Sequence, residues 1–446
     1  MKTMTPTRFW DYAALGVILL NFTNLYTFGA GLSGISFRVI GMAFILFMLC
    51  YCMLNLNVLE RIFRARSIPI FLILFYLVPL LTIIYSPYRE LRYAAYLINS
   101  GLIFLISAIW VYKHGWLAYS KAILFSWGVC ILGIVLSYFS PSVFMGVAVL
   151  QEAAKGGGAI WSETTIAQAD QMRAFGFYMQ SNRAAHAVMM HLLILCPFLL
   201  HARPYWRLLL LAVSFGCILL TGSRSGFVIF IGLSGLLLYY ELRYGVKVKQ
   251  MLKSGFSALP KYLLLVLAGF IVVFGVSIVV KGGAKSVVAD NAVSRIVDSL
   301  FSDEYNLFED VSVQARLLAQ RAFIDGILER PLHGWGHAAD EVHKFFGRLP
   351  LSAHNMFLDL AYQYGLPLAF LMYGLIIKLA FSKEAKRALH YFRFNPALLV
   401  VVVLCVYSFV SNTCFDQRMF PSMFGFLFVV LYFPREVSKL DSPVKR

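Results

Sequence analysis

Apolar residues run along this chain in long unbroken blocks, separated by short polar stretches. The blocks do not alternate as half-buried strands do, and most reach about 20 residues, enough for a helix to cross a hydrocarbon layer about 30 Å thick. Such blocks lie near 12–32, 36–56, 68–86, 92–112, 119–139, 184–201, 207–222, 225–241, 261–280, 355–378, 395–412 and 420–434. The pattern predicts an all-α polytopic membrane protein of about twelve transmembrane helices, forming a single membrane domain over 1–446. The seventh and eighth blocks are short and share one turn, so a re-entrant pair is an alternative there. The first block is too long for a signal-peptide core and lacks a small-residue cleavage site, so it is expected to be retained.

Composition narrows the class. Hydrophobic residues make up 60% of the chain, charged residues only 14%, and the mean hydropathy is +0.74. A soluble domain carries about 25% charged residues. Basic residues collect on the cytoplasmic side of short loops, and that rule places both termini inside. The whole formal charge of +17 is then assignable to the inner face. Topology accounts for that charge, and no nucleic-acid partner is implied. Six of the seven cysteines fall within apolar blocks, where they act as small hydrophobes; Cys414 lies near the outer face. No C-x-x-C or metal-ligand spacing occurs, so neither a disulfide framework nor a zinc site is expected.

Two polar interruptions are long, 140–183 and 281–353, and this orientation puts both outside. Loops beyond about 15 residues are commonly functional or disordered. The second contains helical sequence, VSVQARLLAQRAFIDGILER, stopped by PLHGWG. At about 100° per residue, Arg321, Asp325 and Glu329 share one solvated face, whereas Arg316 points with Phe323 and Ile327. An arginine on an apolar face needs an acid partner or an anion. Both readings stand for Arg316.

Arg224 raises the same choice. In LLTGSRSGFVIF it occupies a turn between two blocks, with Gly222 and Gly226 permitting a bend and close packing. The helix expected to start near Ser225 offers free N–H groups beside the guanidinium, a setting suited to phosphate. A snorkelling anchor at the headgroups is the alternative. The first long loop ends in RAFGFYMQSNRAAHAVMM, which brings Arg173, Asn182 and Arg183 up to the sixth block, with His186 just inside it. Interfacial anchoring for Arg183 and plain solvation for Arg173 remain open.

A further polar cluster opens the tenth block, in SAHNMFLDLAYQYGLPL, residues 352–368. Ser352 is a candidate cap for a helix beginning near His354. A helix N-terminus disfavours added positive charge, so it favours a neutral imidazole able to accept a proton. Asn355 is placed to orient that imidazole or to bond a substrate hydroxyl, and Asp359, about a turn deeper, is an alternative base or an arginine partner. A structural capping histidine is the other reading.

These pieces resemble, in type and order, the O-antigen ligase and O-antigen polymerase superfamily of bacterial inner-membrane glycosyltransferases. The resemblance rests on R-x-x-G-(x)5-N from Arg173 to Asn182, T-G-S-R-S-G around Arg224, and Ser294-Arg295. It continues with Arg316 followed by E-R-P-L-H-G-W-G at 329–336, and H-N-x-x-L-x-x-x-x-x-x-G from His354 to Gly365. It covers about 170–380. Members often have Pro-Asn where this chain has Ser181-Asn182, and a Trp where Gln320 stands.

The resemblance implies a GT-C-like fold with the large loop, carrying short helices, on the periplasmic side. It implies glycan transfer from undecaprenyl diphosphate to a sugar hydroxyl of lipid A-core. His354 would be the base, assisted by Asn355, and Arg224, Arg316, Arg173 and Arg295 would hold the diphosphate, supported by Asn182, Arg183 and Asp359. Arginines would stand in for a cation, so an inverting, metal-independent reaction without a cofactor is expected. The partners are then donor, acceptor and membrane lipids. An O-antigen polymerase shares this chemistry with another acceptor. A lipid-linked glycan transporter fits less well, because transporters place polar sites near the bilayer midplane, and this chain places its polar residues in outer loops.

Overall fold

The computed structural model describes residues 6–25, 37–84, 86, 91–146, 173–178, 180–201, 204–244, 311–345, 347, 349, 353, 355–392 and 419–441. Among these residues all regular structure is helical, with no strand. An apolar solvent requires this, because a helix satisfies its own backbone hydrogen bonds. The helices are α1 (Pro6–Thr23), α2 (Phe37–Leu54), α3 (Leu56–Phe63), α4 (Ser67–Thr82), α5 (Leu91–His114), α6 (Trp116–Phe139), α7 (Ser181–His201), α8 (Pro204–Thr221) and α9 (Arg224–Tyr244). After them come α10 (Val311–Glu329), α11 (Ala339–Phe345), α12 (Met356–Tyr364), α13 (Leu366–Ala380), α14 (Lys383–Phe392), α15 (Met419–Tyr432) and α16 (Pro434–Asp441).

Two described helices are long and apolar enough to cross a membrane, Tyr93–His114 and Trp116–Phe139. These are the expected fourth and fifth blocks. Two bent pairs, Val39–Leu54 with Leu56–Phe63 and Leu366–Ala380 with Lys383–Leu389, raise the number to four if each pair is one span. The expected blocks at 261–280 and 395–412 lie outside the described residues. Within α4, residues Ile73–Leu77 widen into a π turn. Pro79 explains it, since a proline ring clashes with the carbonyl four residues earlier, here that of Phe75.

The chain divides into two compact units, one of residues Met1–Ile18, Gly41–Tyr119 and Glu304–Arg446, the other of Leu19–Ile40 and Ser120–Asp303. In the first, α4, α5 and α15 meet through aromatic rings. Phe71 lies 5.4 Å from Phe104, 4.8 Å from Phe424 and 4.9 Å from Phe428, centroid to centroid. Small residues bring α15 against α5: Gly425 rests on the Phe104 carbonyl, and Ser107 donates to Ser422 at 3.0 Å. One buried carboxylate ties α1, α2 and α5 together. Asp11 accepts from the Tyr51 hydroxyl at 2.7 Å and from Lys113 Nζ at 2.5 Å, and Lys113 reaches Asn55 at 3.2 Å. A charge out of water persists where it is paired and hydrogen-bonded in this way.

In the second unit α7 is buried along most of its length. His191 Nδ1 donates to the Ala187 carbonyl at 2.7 Å, which leaves Nε2 to accept from Ser126 at 2.8 Å. Trp127 of α6 donates to Ser214 of α8 at 3.0 Å.

Candidate functional site

The second unit holds the arginine-bearing pieces of the first loop and of the T-G-S-R-S-G turn. Residues 173–178 are anchored first by apolar packing of Phe175 and Phe177 on Phe144. Polar contacts fix their direction: Ser137 Oγ accepts from the Phe175 and Gly176 amides at 3.1 and 2.8 Å, and the Tyr178 hydroxyl donates to the Phe22 carbonyl. The Ala174 amide then donates to the Leu220 carbonyl at 2.9 Å, which lays Arg173 along the C-terminal end of α8. Its Nε donates to the Thr221 carbonyl at 3.0 Å and its Nη2 to Asn182 Oδ1 at 3.1 Å. Helix C-termini leave carbonyls without intrahelical donors, and a guanidinium satisfies one here. Arg173 and Asn182 therefore meet directly, and the plain-solvation reading of Arg173 gives way to a capping role.

The turn itself is built by short hydroxyl side chains. Gly222 takes φ +61°, and Ser223 caps α9 by accepting from the Gly226 amide at 3.2 Å. Arg224 is the first residue of α9, one position earlier than the expected start near Ser225. Its backbone is described; its side chain lies outside the description. Gly226 packs so closely on Ala185 that a Cβ there would come within 2.7 Å of the Ala185 methyl. Ser225 lies 3.2 Å from Ser223 and 3.4 Å from His186 Nε2. The helix start, Ser223, Ser225 and buried His186 thus share one end of the α7–α9 pair with Arg173 and Asn182. The sequence pattern had singled out the arginines. The serine pair and the Thr221 carbonyl were missed, although Ser residues flanking Arg224 were the available signal. Arg183 is exposed at the start of α7.

The first unit holds the second set. In α10, Ala319, Phe323, Gly326 and Ile327 are buried, Arg321, Asp325 and Glu329 are exposed, and Arg316 is intermediate. This is the division expected from helical periodicity. The buried face meets α12: the Phe323 ring lies 4.8 Å from that of Tyr362, and Gly326 leaves room for the Tyr362 ring edge. The 330–336 loop that follows α10 returns along the C-terminal end of α12, so the C-terminal halves of the two helices lie side by side.

The E-R-P-L-H-G-W-G motif is the clamp that fixes this arrangement. Trp335 and Gly336 amides donate to the Tyr362 and Gln363 carbonyls at 2.9 and 2.8 Å, and the Leu366 amide donates to the Pro331 carbonyl at 2.8 Å. Gly334, at φ +63°, passes so near Gln363 that a Cβ would sit 2.5 Å from its backbone, and Gly365, at φ +84°, lies against the Leu332 carbonyl. The Arg330 guanidinium covers the Trp335 ring at 3.9 Å, and Trp335 Nε1 donates to the Gly326 carbonyl at 2.9 Å. Three consecutive α12 side chains are also held. Tyr362 Oη lies 2.5 Å from His343 Nδ1, Gln363 Oε1 accepts from the Ala338 amide at 3.0 Å, and Tyr364 Oη lies 2.6 Å from His337 Nδ1. Burial lowers the His337 pKa to about 4 against the opposing pull of Asp340 and Gln363, so this imidazole is neutral at pH 7.

The start of α12 differs from the expected one. The helix begins at Met356, and its cap is Asn355, whose Oδ1 accepts from the Leu358 amide at 3.2 Å. Both Ser352 and Asn355 are good cap types, and Asn355 stands directly before the helical φ/ψ region. With Oδ1 engaged, donation to an acceptor hydroxyl falls to the Asn355 amide nitrogen. Asp359 is buried in the first turn of α12, where the helix dipole favours a carboxylate. His354, Ser352 and Arg295 lie outside the described residues. Among those residues no group of three His, Cys, Asp or Glu is arranged to hold a metal ion.

Residues 208–373 match the family model described as O-antigen ligase. The matched region begins in α8, passes the Arg224 turn, α10 and the clamp, and ends in α13; Arg173, Asn182 and Arg183 precede it. No curated protein matches the chain.

Proposed function

We propose, for a chain whose match over residues 208–373 supports membership of the O-antigen ligase/polymerase superfamily, that it is an O-antigen ligase. It transfers glycan from undecaprenyl diphosphate to a sugar hydroxyl of lipid A-core, on the periplasmic side of the bacterial inner membrane. Members of the family are glycosyltransferase-like enzymes, and the apolar helices agree with a bacterial membrane protein. The observation that carries the reading is the coincidence of that family match with the α10–clamp–α12 unit, which holds Arg316, Asn355 and Asp359 on two packed helices.

The acceptor hydroxyl loses its proton to His354, the residue next to the α12 cap, while the Asn355 amide nitrogen orients the hydroxyl. The oxygen attacks the anomeric carbon, the bond from that carbon to the diphosphate oxygen breaks, and the electron pair leaves with the lipid diphosphate. A single displacement inverts the anomeric centre. Departure builds negative charge, which Arg224, Arg316 and Arg295 stabilise; guanidinium groups match phosphate oxygens two at a time. Arg173 holds the turn that presents Arg224, with Asn182 as its partner, and Arg183 supports the same end of α7. Arginines supply the positive charge that a metal ion would otherwise bring.

The test is reconstitution. Purified protein with lipid-linked glycan should form product only when lipid A-core is added, and chelator should leave the rate unchanged. Chain extension without lipid A-core would replace the ligase by the polymerase reading. Loss of activity restored by Mg²⁺ or Mn²⁺ would contradict the metal-independent route.

A further inference from the structure

Helix α10 presents two apolar faces, and among the described residues only one is used in packing. Ala319, Phe323, Gly326 and Ile327 are buried against α12 and the clamp. Next to them runs a second stripe, Leu317, Ile324 and Leu328, at about 80–120° around the helix from Arg316. These side chains are 50%, 46% and 69% exposed. The charged face with Arg321, Asp325 and Glu329 begins beyond it, at about 140°. Leu318 is also exposed, but on that charged side. The stripe is therefore a narrow apolar band between a packed face and a wet one.

The neighbourhood of the band points to what covers it. It continues past the end of α10 into Leu332, 76% exposed, beside the Pro331 carbonyl that binds the Leu366 amide. Leu366 opens α13, an apolar helix of a bent pair long enough to span a membrane, whose Phe370 and Leu371 are themselves exposed. Exposed Leu332 thus stands between the start of α13, whose Gly365 lies against its carbonyl, and the stripe of Leu328, Ile324 and Leu317. Exposed apolar side chains on a spanning helix face acyl chains, and an apolar band next to charged positions on one helix is the arrangement of helices lying in a membrane interface.

We propose that α10 is seated in the bilayer interface, with Leu317, Ile324, Leu328 and Leu332 among the acyl chains of the membrane lipids and Arg321, Asp325 and Glu329 in water. The membrane, and not another protein, is the partner of this surface. Seated so, α10 carries Arg316 at the depth of lipid phosphates; that consequence alone rests on the proposed function.

Nitroxide labels test the seating without any transfer assay, so the outcome is independent of the ligase reading. Leu317→Cys, Ile324→Cys, Leu328→Cys, Arg321→Cys and Asp325→Cys are made singly in a full-length background lacking the seven native cysteines. They are labelled and reconstituted in vesicles of phosphatidylethanolamine and phosphatidylglycerol. Leu332→Cys, in the loop, gives the same reading with no helix position changed. Collision with oxygen relative to a water-soluble nickel chelate should be several-fold higher at the four leucine and isoleucine sites than at Arg321 and Asp325. Equal nickel access at all sites would overturn the proposal, and so would stripe labels closed to both reagents, which would mean that protein covers the band.

Discussion

Arg173 and Asn182 are joined by a hydrogen bond of 3.1 Å, and the same guanidinium satisfies the carbonyl of Thr221, the last residue of α8. A donor that couples the first long loop to the Arg224 turn acts through geometry before it acts through charge. Arg173→Ala should lower stability by about 2 kcal/mol, because a carbonyl and an amide each lose a charged donor. Asn182→Ala should cost less, and the double variant should cost less than the two added together. Thermal unfolding of the four proteins in detergent reads this directly, and strict additivity would separate the two residues.

Arg316 and Arg321 lie five residues apart on α10 but on different faces, one beside the packed surface and one exposed. Arg316→Lys should reduce transfer by at least about tenfold, since a lysine loses the two-pronged geometry that suits a diphosphate. Arg321→Lys should leave the rate within about twofold of wild type, as surface substitutions do. Equal tolerance at both positions would remove Arg316 from the donor site. His354→Ala, at the residue preceding the α12 cap, should cost about a hundredfold or more while expression and membrane insertion are retained.

How far the site was legible follows from the range of the interactions that build it. The α10 faces were readable because helical periodicity is local, and burial of Phe323 and Ile327 follows from it. The bond from Arg173 to Thr221 spans 48 positions, and no spacing rule reaches that far. The cap of α12 was misassigned to Ser352 because two cap-forming residues stand three apart and sequence alone does not choose between them. The E-R-P-L-H-G-W-G motif was visible as a string, whereas its task became clear only when its glycines were found against the backbone of α12. The fourth and fifth blocks were legible as hydropathy; breaks in other blocks, at Asn55 or in the π turn before Pro79, depend on single residues within them.

Those glycines set a sharp contrast. Gly334→Ala and Gly365→Ala each place a Cβ against main-chain atoms at a positive φ, where neither neighbour is a flexible side chain. Each should lower stability by more than about 2 kcal/mol. Gly374→Ala, in α13 with nothing within 4 Å of the added carbon, should leave stability unchanged or slightly raised. Size-exclusion profiles and melting temperatures in detergent distinguish the two classes.

Buried His337 gives the clamp a pH dependence of known sign. Its pKa is lowered from 6.5 to about 4, so above pH 6.5 the imidazole is neutral in folded and unfolded chains alike. Between pH 6.5 and 4 the unfolded chain takes up a proton that the folded chain refuses, and stability falls as pH falls, by up to about 3 kcal/mol below pH 4. His337→Gln should flatten the melting temperature between pH 7 and 5 relative to wild type. An unchanged slope would assign that acid sensitivity to other groups.

Among the described residues, the hydrogen bonds that hold α12 to 335–343 fall on its last three residues, Tyr362, Gln363 and Tyr364. The opposite tip, with Asn355, stands off by the length of nine helical residues, about 14 Å. Because α12 is buried at Met356 and again from Asp359 onward, it shifts as one rod, and a tilt at its C-terminal end is carried to the Asn355 end. The placement of Asn355 is thus governed from afar, and a compound wedged beside Trp335 would displace it without touching it.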